Sequence, residues 1–428
     1  MTDVVATNET ILVVGGGISG MTAALEAAEC GKDVVLVEKT PSLGGRVSQL
    51  YKYFPKLCHP TCGLEINLRR LKANKRIRVL TLAEVSAITG KPGDYTATIK
   101  ISPRFVNENC TACGECEKAV SAEVANPFNY GMDKIKAAYL PFSMSYPQRY
   151  VIDPSIIGTP EAEKAKAACK YNAVDLGMKE ETINLKVGAA IWATGWKPYD
   201  ANKIQPYGYD RYANVITSVE FERMLDPFGP TAGKLVRPSD GKEAKNVAFI
   251  QCAGSRDRNH LKHCSRICCM ASLKQSTYVR EKYADDASVS IYYIDIRAID
   301  RFEDFYKKVQ ADPKVKFIKS KVANITADKD GNPILHGVDT EGYHRYDNAH
   351  DLVVLAIGME PSVDASKIMP GGVAADVSGF IDINATTEAV FGAGCASNAL
   401  DVNRSVQSAT AGALRAIQVI NRVSRAEA

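Results

Sequence analysis

Six residues near the amino terminus, Gly15-Gly16-Gly17-Ile18-Ser19-Gly20, constrain the fold more than any other stretch. They contain the pattern G-x-G-x-x-G and follow an apolar run, Ile11 to Val14, that reads as a buried strand. A helical pattern comes next, from Ile18 to Cys30, with Gly31 as its carboxyl-terminal cap. A second apolar strand, Val34 to Val37, ends in Glu38. Gly15 permits the tight turn, Gly17 lets backbone approach a pyrophosphate, and Gly20 lets helix and strand pack closely. The helix start presents unpaired N–H groups to phosphates. Glu38, about 20 residues downstream, stands where an acid bonds ribose hydroxyls. A glycine motif alone is weak evidence. Strand, turn, helix, strand and acid in this order specify a dinucleotide site in an α/β fold.

Three further segments favour FAD over NAD. Leu43-Gly44-Gly45-Arg46 follows the acid, as in flavoproteins with two dinucleotide-binding domains. Ala189 to Gly195 resembles the strand-plus-ATG segment of those proteins, which makes Ala193, Thr194 and Gly195 candidate cofactor contacts beside Gly45 and Arg46. Val390 to Gly394, ahead of a helical pattern from Ser405 to Ile417, resembles their second FAD segment. An acidic residue usually follows that glycine. Here Cys395 follows Gly394, and Asp401 is the candidate substitute.

A second lobe for NAD(P)H is the usual companion. Its first strand matches Val247 to Ile250, but Gln251-Cys252-Ala253-Gly254-Ser255 replaces the glycine motif. The layout continues with a helix from about Ser265 to Tyr283, a strand from Val289 to Asp295, and Asp351 to Gly358 as a late strand. The expectation is a kept scaffold without its pyridine nucleotide.

Twelve cysteines in 428 residues carry the rest of the chemistry. Cys252, Cys264, Cys268 and Cys269 occupy the vacated nucleotide place. Cys264 and Cys268, four apart at the expected helix start, share one face. Cys252 ends a strand at the sheet edge where α/β folds bind ligands. Four thiolates suit a [4Fe–4S] cluster or zinc; the other reading is a thiol pair with Cys269 as packing. His260 and His263 read as surface residues, and Cys30 and Cys395 as small packing residues.

Cys110, Cys113 and Cys116 form C-x2-C-x2-C. A bacterial ferredoxin run continues with x3-C-P, where this chain has Val120-Ser121. In two-cluster ferredoxins the fourth cysteine of each run ligates the other cluster. Cys169 resembles the end of a second run whose three earlier cysteines are missing, since Ile156 to Ala167 has none. All four ligands of one cluster are then gone, and Cys110, Cys113, Cys116 and Cys169 remain for the other. A zinc-bound or degenerate loop is the alternative. Cys58 and Cys62, which flank His59, stay open between a redox-active thiol pair, ligands shared with a partner's cluster, and a structural role.

The net charge of +4 carries no nucleic-acid signal. No run of 18 apolar residues occurs, and MTDVVATNET lacks the pattern of a secretory signal, so a cytoplasmic protein is expected.

Through CTACGEC, QCAGSRDRNHLKHCSRICC and the first glycine motif, the chain resembles the A subunit of heterodisulfide reductase. The resemblance implies a thioredoxin-reductase-like fold with FAD and iron–sulfur clusters. The archaeal members have a further amino-terminal domain and a carboxyl-terminal ferredoxin domain. The shorter arrangement is most similar to the A subunit of the quinone-interacting membrane-bound oxidoreductase (Qmo). That likeness implies other subunits of such a complex, including a quinone-reactive membrane subunit that holds this chain at the membrane, and adenylylsulfate reductase as soluble partner. The expected organisation is an FAD domain over 1–103, a ferredoxin-like insert over 104–182, a return segment over 183–245, a second lobe over 246–360 and a closing FAD segment over 361–428. The expected role is electron relay with one FAD and two [4Fe–4S] clusters, with no general acid or base. A self-contained disulfide reductase, a sulfide:quinone oxidoreductase, and a non-catalytic scaffold or redox sensor are the alternatives.

Overall fold

The computed structural model describes residues 7–362, 373, 375–382 and 389–427. The first six residues and much of 363–388, within the expected closing FAD segment, lie outside the described residues.

Ile11–Val14 is wholly buried and is the middle strand of a five-stranded parallel sheet. Ala189–Trp192 and then Val390–Gly392 flank it on one side, Val34–Glu38 and Ile77–Thr81 on the other. Strands buried on both faces need continuous apolar runs; the inner strands have them, while the edge strand Ile77–Thr81 carries Arg78 and is only partly buried. Helix Ile18–Glu29 packs beside the long helix Val402–Glu427, with Ala23, Ala24 and Ala27 sharing a core with Ala409, Ala413 and Ala416. Small side chains let these helices and the sheet approach closely.

A three-stranded antiparallel sheet, Ala83–Lys91, Asp94–Ile101 and Glu181–Val187, extends this lobe. Ile101 lies opposite Glu181, so the chain leaves and re-enters the lobe at neighbouring points. The segment between them forms the insert, with its own apolar core built from Phe105, Val106, Val120, Ile152, Ala162, Ala165 and Val174. Two short helices, Glu115–Ala119 and Pro160–Ala168, lie in it.

The second lobe is another five-stranded parallel sheet in the order Val215–Thr217, Leu352–Ile357, Asn246–Ala253, Ser288–Tyr293 and Val315–Lys319. Val215–Thr217 comes from the expected return segment but pairs with Leu352–Ile357. The strand Asn246–Ala253 bulges between Ile250 and Ala253, with Cys252 left-handed at φ 57. The following helix is Cys268–Tyr283, three residues shorter at its start than the periodicity implies. Arg266 has a left-handed φ of 61, which interrupts a right-handed helix there. Cys264 therefore sits in the loop and not on a helical face shared with Cys268.

Candidate cofactor-binding site

The glycine turn is built as its residue types require. Gly15 has φ 108, and a Cβ on it would overlap the carbonyl oxygen of Ala193. A Cβ on Gly20 would overlap the oxygen of Gly15, so helix and turn touch backbone to backbone. Gly45 has φ 56 and its Cβ position lies 2.7 Å from the Cα of Gly17, which seats the Gly44-Gly45 turn on the glycine motif. The Glu38 side chain is buried and accepts from the Gly16 N–H at 2.5 Å and from the Thr40 N–H and hydroxyl at 2.8 Å. A carboxylate has about four acceptor positions, so one remains for a ribose hydroxyl.

These residues open onto a cavity of about 940 Å3. Gly15, Gly17, Glu38, Gly45, Arg46, Ala193, Thr194, Gly195 and Asp401 line it. Gly20 and Gly394 lie behind the wall; Gly394, at φ 61, is pressed against Ser19 and donates its N–H to the Ser408 hydroxyl at 3.1 Å. Asp401 accepts from the Arg404 N–H at 2.9 Å, capping the last helix, and from Arg266 Nε at 3.4 Å. Its carboxylate is thus partly committed within the protein. Cys395 is buried in the same wall and donates to the Leu400 carbonyl at 3.3 Å.

The insert closes one side of the cavity, a contribution the sequence alone does not disclose. Phe128 and Phe142 stack with ring centroids 4.9 Å apart, and both line the cavity with Tyr130 and Tyr139. Arg46 ties insert to lobe: Nε donates to the Trp196 carbonyl at 2.5 Å and a terminal nitrogen donates to the Tyr130 hydroxyl at 3.1 Å. Its guanidinium also lies 5.2 Å from the Trp196 ring centroid, a cation–π distance.

The second lobe adds Glu222, Lys274 and Gln275 to the wall, none of which carries a sequence motif. Lys274 Nζ and Glu222 Oε1 are 2.8 Å apart with both side chains nearly fully buried. Gln275 Nε2 also donates to Glu222 Oε1, at 2.6 Å. Below them Arg223 pairs with Asp226 at 3.0 Å, and His59 reaches the same carboxylate at 3.1 Å. Burial opposes ionisation of Asp226, but His59, the Phe228 N–H and Arg223 keep its carboxyl below the ordinary range.

Cys268 belongs to this cavity wall as well. It and Cys252, Cys264 and Cys269 lie close enough to act on one another electrically. Burial first, then the charges of Cys269, Cys252 and Cys264, raises the Cys268 thiol. Cys269 is pushed up to about 11, by burial first and further by Cys252 and Cys264. The space beyond the strand end is filled by protein. Ser255 bridges Leu261, the Leu261 N–H bonds Gly254, and a Cβ on Gly254 would strike the Tyr199 ring. Asp295, two residues past the strand Ser288–Tyr293, is paired with Arg256. His260 and His263 are not free surface residues: His260 bonds the Tyr199 hydroxyl at 2.8 Å and His263 the Met359 carbonyl at 2.8 Å.

In the insert, Cys110, Cys113, Cys116 and Cys169 line one small pocket of about 20 Å3. Cys169 Sγ accepts the Ala173 N–H at 3.3 Å. Burial would raise its thiol, yet the N–H groups of Ala173, Tyr171 and Val174 hold it below the ordinary range. Cys116 is pushed up to about 12 by burial and by the charges of Cys110, Cys169 and Cys113. Counting back from Cys169 with ferredoxin spacing reaches Ala165, Ala162 and Thr159. Ala165, Ala162 and Val120 are buried in the insert core, so apolar side chains occupy the place of a second cluster. Among the described residues no three His, Cys, Asp or Glu side chains converge closely enough to hold a metal ion as they stand. The match of the insert cysteines to a cluster is one of donor identity, proximity and N–H supply; that of the second-lobe cysteines is one of donor identity and proximity.

Cys58 is half-buried and Cys62 exposed; both act on the Tyr53 hydroxyl, which is raised by burial first and then by Cys58 and Cys62. Neither lines the cavity. Cys30 is exposed at the end of the first helix and is not a packing residue.

Comparison with known proteins accords with this geometry. Residues 10–72 match the FAD dependent oxidoreductase family. The A subunit of the Ferredoxin/F(420)H(2)-dependent CoB-CoM heterodisulfide reductase of Methanosarcina acetivorans is 37% identical over 427 residues, covering 96% of this chain and 53% of the relative. The A subunit of the H(2):CoB-CoM heterodisulfide,ferredoxin reductase of Methanothermobacter thermautotrophicus is 36% identical over 96% of this chain and 64% of its own length. Over nearly all of its length the chain is similar to heterodisulfide reductase A subunits. The chain spans roughly half to two thirds of the length of the curated relatives it matches. Its fold is that of thioredoxin reductase: the T. acidophilum enzyme superposes with a TM-score of 0.52 at 13% identity, covering 97% of this chain and 99% of that one. The bacillithiol disulfide reductase of Bacillus cereus gives 0.53 at 13% identity, with 97% and 99% covered.

Proposed function

We propose that this chain is the FAD- and iron–sulfur-dependent electron-transfer subunit of a heterodisulfide-reductase-like complex. The observation that carries the reading is the double position of Cys268. It stands in the wall of the FAD cavity and in the four-cysteine set that replaces a second glycine motif. FAD, when bound, exchanges electrons in pairs or singly. The chain's own residues supply place and environment. The turn at Gly15 to Gly20 would hold the pyrophosphate, and Glu38 the ribose. Arg46 keeps the insert's aromatic wall against the cavity. Lys274 Nζ and Glu222 Oε1 stand 2.8 Å apart as a buried ion pair in a water-poor wall. Cys252, Cys264, Cys268 and Cys269 would hold one [4Fe–4S] cluster, and Cys110, Cys113, Cys116 and Cys169 the other.

In the narrower form of this reading the chain relays electrons between a quinone-reactive membrane subunit of a Qmo-like complex and adenylylsulfate reductase. The sequence resemblance supports that form, together with an insert whose residues suit one cluster and not two. No helix among the described residues is long and apolar enough to cross a membrane; the reading gives the quinone to a separate subunit.

The test is anaerobic purification with flavin, iron and sulfide counted and co-purifying chains identified. One FAD and about eight irons per chain are expected from eight cysteine ligands. A flavin-loaded, iron-free chain would sink the reading, as would rapid bleaching of the flavin by NADPH, which marks a self-contained reductase.

A further inference from the structure

Gln251 precedes Cys252 at the point where the second lobe departs from a nucleotide-binding sequence. Its side chain is 4% exposed, and neither its amide nitrogen nor its amide oxygen has a hydrogen-bond partner. Buried carboxamides are nearly always bonded, so one idle at both ends marks a missing partner. Ser272, one turn beyond Cys268 on the helix, is fully buried and its hydroxyl is idle too.

The strand fixes where Gln251 faces. Val247 and Phe249 pack in one core with Met270 and Leu273 of the helix Cys268–Tyr283. Ala248 and Ile250 belong to the core on the opposite side. Alternation places Gln251 on the helix side, one step nearer the sheet edge. That is the level at which the helix begins, with Cys268 and Cys269. The bulge at 250–253 turns Cys252 out of the alternation toward the same edge.

The thiols there have few N–H donors. Cys264 Sγ accepts the Arg266 N–H at 3.3 Å, and Cys252 has Arg256 at 3.9 Å. Cys268 and Cys269 instead donate to the carbonyls of Ile357 and Asp295. Those two bonds need the thiol protons and vanish once the sulfurs bind iron. Cluster sulfurs are acceptors only, and the Gln251 amide nitrogen carries two protons with no other use.

We propose that Gln251 is a positioning residue for an iron–sulfur cluster held by Cys252, Cys264, Cys268 and Cys269, donating from Nε2 to its sulfur and so raising its reduction potential. The proposal rests on the reading that these cysteines hold a cluster. Donated hydrogen bonds favour the more negative, reduced state.

The experiment is a redox titration of the anaerobic full chain, followed by electron paramagnetic resonance, with iron and flavin counted in each sample. Gln251→Leu removes the donors, Gln251→Glu keeps the shape but offers an acceptor, and Gln251→Asn keeps a carboxamide. With iron content unchanged, Leu and Glu should lower the reduced-to-oxidised ratio of this cluster about tenfold at a fixed ambient potential, the effect of one lost hydrogen bond. Asn should restore part of it, and the insert cluster should not move. Equal potentials in wild type, Leu and Glu at full iron content would overturn the role of Gln251 alone. A wild-type chain with only the insert's iron, about four atoms, would overturn the cluster reading instead. If Gln251→Leu fails to fold, Gln251→Glu decides by the same titration. Loss of this cluster's iron from every variant, Asn included, would make Gln251 a structural residue and overturn the tuning role.

Discussion

Lys274 and Glu222 form an ion pair of 2.8 Å whose side chains are 4% and 3% exposed, in a cavity built for a cofactor. Neither charge has water to fall back on. Lys274 has one further acceptor, the Lys52 carbonyl, and Glu222 further accepts from the Tyr51 N–H at 3.1 Å and the Gln275 amide at 2.6 Å. The Tyr278 hydroxyl lies 3.4 Å from Glu222 and is raised by burial first and by that carboxylate second. Removing one member of such a pair strands the other in a low-dielectric wall. Lys274→Met and Glu222→Leu should each cost about 3–5 kcal/mol of stability, with the double variant costing less than their sum. Denaturant unfolding of the four proteins checks this. Single variants within about half a kcal/mol of wild type would mean that the pair is solvated and that the wall is not dry.

The insert should answer differently to two cysteine changes. Cys169→Ala removes a thiolate fed by backbone N–H groups and should lower iron by about half, roughly four atoms of eight. Val120→Cys puts a thiol back at the ferredoxin position but finds Ala162 and Ala165 opposite, packed in the same core. It should add no iron and cost little stability, since the two side chains are similar in volume. Iron and acid-labile sulfide assays on both variants decide. Unchanged iron in Cys169→Ala would remove this residue from the ligand set.

What the sequence discloses and what it withholds divide by range. The glycine turn is legible because Gly15, Gly20 and Gly45 answer local backbone demands that no other residue meets. The cysteine sets are legible as spacings. The second lobe's helix starts three residues later than its pattern implies because the left-handed backbone at Arg266 leaves no mark on hydrophobic periodicity. Val215–Thr217 reads as linker because two apolar residues and a threonine do not say which sheet they join. Glu222 and Lys274 lie on separate helices, where a charged residue ordinarily reads as solvated surface; only packing of one helix on the other buries both. The Phe128–Phe142 wall, too, exists only once the insert folds back over the lobe.

His350 supplies a pH test that is independent of any cofactor. Burial lowers its pKa to about 4. The neutral ring bridges the Tyr292 hydroxyl at Nε2, 3.0 Å, and Asn246 Oδ1 at Nδ1, 2.9 Å. The unfolded chain binds this proton near pH ~6.5, the native chain only near pH ~4. Between those values the unfolded state carries more protons, so stability falls as pH falls from about 6.5 to 4 and then stops falling on this account. The full contribution is about 3 kcal/mol, complete above pH ~6.5. His350→Gln keeps a polar side chain at this place but cannot titrate, and it should flatten the acid limb of the stability curve by that amount while lowering stability at pH 8. Chemical denaturation of both proteins at pH 4.5, 5.5, 6.5 and 8 gives the comparison. Parallel acid limbs would mean that His350 already takes up its proton in the folded chain, and that the connection it sits on, between His344–Ala349 and Leu352–Ile357, is wet.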